Sequence, residues 1–271
     1  MSVIASRETT LCMSIAARPG NFGVRFHNYL YAQLGLNFYY KTFAPNDLPA
    51  AISGMRSLGI RGCGVSMPFK EACIPLIDEM DASAAAIESI NTIVNTQGHL
   101  KAYNTDYIAI TQLVEACALP RTRFALRGSG GMAKAVACAL RDVGFTDGLI
   151  VARNESAGRA LAATCGFEWQ AQLGAERPPL LVNVTPLGMA GDQSHALAFE
   201  ADVIEVADTA FDVVATPALT PFIAHAQRVG KRVITGDQVA AIQALEQFIL
   251  YTGVTPTDEQ YQAASAFARQ G

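Results

Sequence analysis

Between a short apolar run, Phe124–Leu126, and an alanine-rich helical pattern stand Gly128, Ser129, Gly130, Gly131, Met132 and Ala133. The spacing Gly128-x-Gly130-x-x-Ala133 is the alanine-ended form of a dinucleotide fingerprint. Gly128 permits a tight strand-to-helix turn, and Gly130 lets the backbone approach a pyrophosphate. Ala133 keeps the helix close to the sheet, and the free N–H groups of the first helical turn face the anion. A plain glycine-rich turn shares the spacing but does not require the strand before it or the helix after it. About 20 residues past such glycines an acid normally binds the ribose 2′-hydroxyl. Here that place holds Arg153-Asn154. Arginine cannot accept from a hydroxyl, yet it pairs well with a doubly charged phosphate, so NADP is expected over NAD. The plain alternative is a surface arginine after a strand. Asp147, the nearest carboxylate, precedes that strand and falls at its wrong end.

The elements that position this loop read as an α/β layer fold. From Thr122 onward the pattern is βαβ: strand Phe124–Leu126, helix Gly131–Val143, strand Leu149–Ala152, helix Ser156–Thr164. Strands Leu180–Val184 and Val203–Ala207 continue the sheet, and Phe211–Val214 adds an apolar run. Helix Pro221–Val229, strand Arg232–Thr235 and helix Val239–Tyr251 follow, and Thr257 with Glu259-Gln260 opens a last amphipathic helix to Ala268. Earlier, Thr10–Ala17 and Asn37–Phe43 read as strands, with Phe26, Tyr29, Leu30 and Leu34 at helical spacing between them. Asn46-Asp47 caps a helix that stops at Gly59, and Cys63–Met67 is a short strand ending at Pro68. Ile90–Val94 and Leu100–Asn104 flank Gln97-Gly98 as a hairpin, so some pairing is antiparallel. Helix Thr105–Ala118, closed by Pro120, links the two parts.

The 271 residues, 51% apolar and 16% charged, suffice for one large or two small cores. A net charge of −4 with no Lys/Arg run argues against a nucleic-acid partner. No apolar run approaches the roughly 18 residues that span a bilayer. Met1–Glu8 lacks the basic-then-apolar layout of a secretory signal, so a cytoplasmic location is expected. The six scattered cysteines contain no C-x-x-C pair and read as reduced core thiols. The four histidines show no metal-ligand spacing, and no metal is expected.

Three further segments line up with the glycine loop: Val65-Ser66-Met67-Pro68-Phe69-Lys70-Glu71, Ser89-Ile90-Asn91-Thr92 and Tyr103-Asn104-Thr105-Asp106. With Asn183-Val184-Thr185-Pro186-Leu187-Gly188-Met189 they resemble the shikimate dehydrogenase family, and its shikimate dehydrogenase-like branch, over nearly the whole chain. The resemblance implies a two-domain α/β enzyme, an N-terminal α/β substrate domain (residues 1–104 plus 239–271) and a Rossmann-type doubly wound parallel sheet for NADP (105–238). It implies hydride transfer between NADP(H) and a hydroxylated cyclohexene or cyclohexane carboxylate, shikimate/3-dehydroshikimate or a relative such as quinate, in aromatic amino acid biosynthesis. A monomer or homodimer is expected, with no membrane partner. Carried over by position, Lys70 and Asp106 are the catalytic pair. Asn21, Ser66, Asn91 and Gln243 stand at the substrate. Asn183, Thr185, Met189 and Gly236 line the cofactor site with the glycine loop, Met132, Ala133, Arg153 and Asn154.

That assignment is chemically sensible. Ketone reduction needs a proton for oxygen while hydride reaches carbon. An ammonium has three donors and no acceptor, so Lys70 can give that proton or hold a developing alkoxide. A free lysine, pKa about 10.4, returns it poorly. Burial would lower that value, and a nearby Asp106 carboxylate would favour the charged form and orient it. Singly, Lys70 could be a helix-start charge and Asp106 a helix cap. Several positions depart from the family pattern. Asn21 and Gly23 stand where two substrate-holding serines are usual, leaving Arg18 or Arg25 as candidate carboxylate partners unless they simply face solvent. Gly64 replaces an asparagine, Ser66 a threonine, Ala215 a tyrosine and Val239 a methionine. A lost polar partner can cost orders of magnitude in discrimination. Two alternatives therefore stay open: a dehydrogenase of an unrelated secondary alcohol, and a non-catalytic NADP-binding redox sensor.

Overall fold

A computed structural model describes residues 5–270, so the first residues of the stretch read for a leader lie outside it. The chain divides into two compact units, one of residues up to Thr105 and from Gln243 on, the other of Asp106–Ile242.

In the first unit, β1 (Thr10–Ile15), β2 (Phe38–Phe43) and β3 (Gly62–Val65) run parallel. They join β4 (Glu79–Met80), β5 (Thr92–Thr96) and β6 (His99–Tyr103) in a sheet of order β2-β1-β3-β5-β6-β4. Alternation along β1 divides the core. Met13 and Ile15 pack with Ile52 and Met55 of α2 (Leu48–Ser57) on one face. Cys12 packs on the other with Phe26, Leu30 and Tyr31 of α1 (Phe22–Gln33) and with Ala264 and Ala268 of the last helix, Asp258–Arg269. Local signals match these elements. The Asp47 carboxylate accepts from Ala50 N at 3.0 Å to start α2, and Thr257 with Gln260 forms a reciprocal capping box on the last helix. The β5–β6 turn places Gln97 and Gly98 at φ +54° and +89°, the positive pair a two-residue hairpin requires. That hairpin starts two residues later than expected, at Thr92 instead of Ile90.

In the second unit the strands are β7 (Phe124–Arg127), β8 (Gly148–Val151), β9 (Glu168–Gln170), β10 (Leu180–Asn183), β11 (Thr209–Asp212) and β12 (Arg232–Ile234). All are parallel, in the order β12-β11-β10-β7-β8-β9. Numbered within the unit, this is the 3-2-1-4-5-6 order of a doubly wound dinucleotide fold. Helices α3 (Phe69–Ala72) and α4 (Ala82–Ala85) belong to the first unit, and α5 (Thr105–Ala116), which begins at the boundary, α6 (Gly131–Asp142), α7 (Glu155–Cys165), α8 (Ala201–Val206) and α9 (Pro221–Arg228) to the second. Alanine dominates α6 because Ala133, Ala135, Ala137 and Ala139 are all fully buried, which lets the helix lie close against its neighbours.

One expected strand is absent. Val203–Ala207 is the helix α8 and the residue after it. Val203, Ile204 and Ala207 are buried while Val206 is 58% exposed, a helical stripe. The β-branched composition suggested a strand, but the period of burial is that of a helix. The strand of this region is β11, which takes up the first part of the Phe211–Val214 run. The three-residue edge strand β9, with no alternation to show it, escaped the sequence reading. All six cysteines are free thiols, five of them buried.

Candidate active site

In the first unit the pairing of β3 with β5 sets Gly64 opposite Thr92, and Val65 N donates to Asn91 O at 2.7 Å. Ile90 N donates to Lys70 O at 3.3 Å. These backbone bonds bring the Ser66–Lys70 turn and the Asn91 segment together. Ser66 is exposed, Lys70 half-buried and Asn91 fully buried.

Asn91 carries the most telling geometry. Its Oδ1 accepts from Thr105 N at 2.8 Å, Thr92 Oγ1 at 2.8 Å and Thr105 Oγ1 at 3.2 Å. A backbone N–H can only donate, so the orientation of the side-chain amide is settled. Its Nδ2 is buried and has no partner among the described residues. A buried orphan donor costs about 1–3 kcal/mol, and folded proteins keep few without a reason. Gln247 of α10 (Gly236–Thr252) donates from Nε2 to Thr92 Oγ1 at 3.0 Å and to Asn91 O at 3.3 Å. Asn104 holds Ser89 O through Nδ2 at 2.8 Å, steadying the same segment. Asp106 follows Thr105 directly in the first turn of α5 and is 3% exposed.

The departures have visible consequences. Asn21 precedes α1 with no side-chain cap bond and is exposed, so its amide is not spent on the helix. Arg25 is not a solvent-facing cation: Nε and Nη2 donate to Phe267 O at 3.1 and 2.8 Å, and the guanidinium lies 4.1 Å over the Phe267 ring. That engagement ties α1 to the last helix and leaves Arg18 and Asn21 as the freer candidates. A Cβ added at Gly64 would lie 2.9 Å from Tyr40 Oη, 3.3 Å from Ser14 Cβ and 3.4 Å from Gln247 Nε2. The space an asparagine side chain would need at 64 is thus filled. Gln243 is half-buried on α10, one turn before Gln247.

In the second unit the glycine loop follows β7. Gly128 takes φ +130°, and an added Cβ there would meet Val184 Cγ2 at 2.8 Å, so only glycine serves. A Cβ at Gly130 would meet nothing within 4 Å: the loop backbone borders open space at the N-terminus of α6. Its N-cap residue, Gly130, has no side chain to cap that N-terminus. A backbone cradle, open space and uncapped amides fit a pyrophosphate. Arg153 and Asn154 follow β8. Arg153 is exposed, and Asn154 Oδ1 caps α7 by accepting from Ala157 N at 3.1 Å.

Arg127, which the sequence reading passed over, ends β7 in register with Val151 of β8. Its guanidinium stacks over Phe199 at 5.0 Å, a Glu200 carboxylate oxygen is 3.9 Å away, and its Nε is buried without a partner among the described residues. Burial first, and repulsion from Arg153, lower its pKa, while Glu200 opposes this. A basic residue directly before the first glycine was the signal that could have found it.

Asn183 is spent within the protein. Its Oδ1 accepts from Thr185 N at 3.1 Å and Thr185 Oγ1 at 2.6 Å, and its Nδ2 donates to Leu187 O at 3.2 Å and Asp212 Oδ1 at 3.0 Å. Asn183 therefore shapes the loop that carries Thr185 and Met189, both half-buried. Asp212, at the end of β11 and also unnoticed in the sequence, anchors this network. Gly236 is likewise a packing residue: an added Cβ would lie 2.3 Å from Val214 C.

The profile of the shikimate dehydrogenase substrate binding domain matches residues 22–93. A shikimate dehydrogenase-like protein of Haemophilus influenzae is 53% identical over 97% of this chain and 98% of its own length. A shikimate dehydrogenase (NADP(+)) of Moorella thermoacetica is 36% identical over 84% of this chain and 82% of its own. The solved structure of Thermus thermophilus shikimate 5-dehydrogenase in complex with NADP(H) and shikimate superposes with TM-score 0.86 at 27% identity, covering 96% of this chain and 99% of that one. The chain belongs to the shikimate dehydrogenase family. Among the described residues no helix is long and apolar enough to cross a membrane.

Proposed function

We propose that this protein is an NADP-dependent dehydrogenase that interconverts shikimate and 3-dehydroshikimate, or the hydroxyl and keto forms of a related ring acid such as quinate. The orphaned Asn91 Nδ2 carries this reading: a buried amide held by three bonds on its oxygen leaves its NH2 group, with two N–H donors, for a ligand hydroxyl. The relatives named for shikimate and NADP(+) support it.

When bound, the dinucleotide would supply or accept a hydride. Gly128, Ser129, Gly130, Gly131, Met132 and Ala133 would hold its pyrophosphate, and Arg153 with Arg127 would hold the 2′-phosphate. Asn183, through the loop it organises, would present Thr185 and Met189, with Asn154 and Gly236 bordering the same site. Lys70 donates the proton to the carbonyl oxygen during reduction and takes it back in oxidation. Asp106 would orient the ammonium and exchange a proton with it in the relay, a role worth about 10²–10⁴ in rate. Asn91, Ser66 and Gln243 bind ring hydroxyls, and Asn21 takes part of the carboxylate.

The filled space at Gly64 and the missing hydroxyls at Asn21 and Gly23 favour a ring acid other than shikimate as the better substrate. Oxidation of a panel of ring hydroxy acids with NADP⁺, followed by NADPH absorbance, tests both readings. Turnover confined to ring acids supports the proposal, and the best acid names the substrate. Turnover only of acyclic secondary alcohols, or tight NADPH binding with no oxidation of anything, overturns it.

A further inference from the structure

We infer that Gln247 is a positioning residue for the ring-acid site: through the Thr92 hydroxyl it aims the Asn91 amide N–H at the substrate. This rests on the function proposed above and goes on to say how its main donor is set.

A threonine hydroxyl has one proton and two lone pairs. Gln247 Nε2 donates to Thr92 Oγ1 at 3.0 Å, so that oxygen is used as an acceptor on this side. The hydroxyl's own proton is left for Asn91 Oδ1 at 2.8 Å, with the more distant Thr105 Oγ1, at 3.4 Å, as the alternative. The second Nε2 proton of Gln247 goes to Asn91 O at 3.3 Å, gripping the same residue by its backbone. The bonds therefore run in one direction, from Gln247 to Thr92 to Asn91 Oδ1, and Nδ2 is the group they leave unused. Chains of this kind polarise one another and are sensitive to the loss of one member.

Gln247 is 6% exposed, so the chain operates away from bulk water. Its side chain lies beside Gly64, where an added Cβ would come 3.4 Å from Nε2 and a longer side chain would compete for the same space. Without Gln247 the Thr92 hydroxyl is free to turn to Thr105. Asn91 would then lose one of the donors that oppose a flip of its amide. Thr105 N still favours the present orientation, so a partial loss of order is expected rather than complete inversion.

The test uses the full chain with Gln247→Met, which keeps volume and removes both donors. In ¹⁵N-labelled protein the Asn91 side-chain amide is expected to give one sharp pair of proton signals in the wild type and a shifted, broadened or doubled pair in the variant. An unchanged pair overturns the inference, and this readout needs no substrate. In steady-state oxidation, with NADP⁺, of the ring acid that the panel shows to be turned over best, loss of a neutral hydrogen-bond chain should lower kcat/KM about five- to twentyfold, mostly through KM. In an Asn91→Ala background the same substitution should cost less than about twofold, because its route of action is gone. Equal losses in both backgrounds would mean a merely structural role and also overturn the inference. If the wild type oxidises no ring acid, the proposed function fails while the amide signals still decide the role of Gln247.

Discussion

Replacing Asp212 by asparagine should change the pH dependence of folding in a direction the structure dictates. Asp212 is fully buried at the end of β11. Its Oδ1 accepts from Val214 N and Asn183 Nδ2, both at 3.0 Å, and its Oδ2 from Thr220 Oγ1 at 2.7 Å. Burial outweighs these donors and pushes its pKa up from 3.8 to about 6. The folded protein therefore holds this proton more tightly than the unfolded chain. Its contribution to stability is full below about pH 4 and is lost as pH rises through about 6. A shift of about two units corresponds to roughly 3 kcal/mol as an upper bound. Asparagine stays neutral. It keeps an acceptor for Val214 and Asn183, while Thr220 Oγ1, which also accepts from Ile223 N at 3.2 Å, must turn to accept its amide.

Urea unfolding between pH 4 and 8, followed by the fluorescence of Trp169 in the same unit, should show wild-type stability falling by about 1–3 kcal/mol across this window relative to Asp212→Asn. A difference between the two proteins that stays constant with pH would refute the reasoning. Asp212→Ala differs because it strands three donors. It should cost about 3–5 kcal/mol at every pH, and it should weaken dinucleotide binding by loosening the Thr185–Met189 loop.

Further outcomes are expected from single substitutions. Lys70→Met should lower kcat by about 10²–10⁴ with little change in ring-acid KM, and a variant that keeps wild-type turnover would remove Lys70 from the mechanism. Arg153→Gln and Arg127→Gln should each weaken binding of adenosine 2′,5′-bisphosphate about tenfold or more while leaving AMP nearly unaffected, as read by calorimetry; equal effects on both ligands would exclude a 2′-phosphate role. Gly62→Ala should destabilise by about 1–3 kcal/mol, since its Cβ would lie 2.2 Å from Tyr251 Cδ1; a melting temperature unchanged from wild type would contradict that packing.

Much of the architecture was open to inspection in the chain, because short-range chemistry controls it. The Gly128–Ala133 loop, the Asp47 cap, the Thr257–Gln260 box and the Gln97-Gly98 turn each act within a few residues, so their types and spacing suffice. Where the sequence misled, a second requirement had intervened. Val203–Ala207 has the composition of a strand, yet the burial of Val203, Ile204 and Ala207 makes it a helix.

The glycine fingerprint and the arginine at 153 were determined by the sequence alone, since backbone clearance and fixed charge are properties of residue type. Tertiary structure decided which polar groups are spent and which remain free. Asn183 is consumed by Thr185, Leu187 and Asp212, Arg25 is committed to Phe267, and the Asn91 amide nitrogen stays unsatisfied among the described residues. Gln247 reaches Thr92 from 155 residues away. Hydrogen-bond saturation depends on partners that only folding brings near, and no local pattern records it.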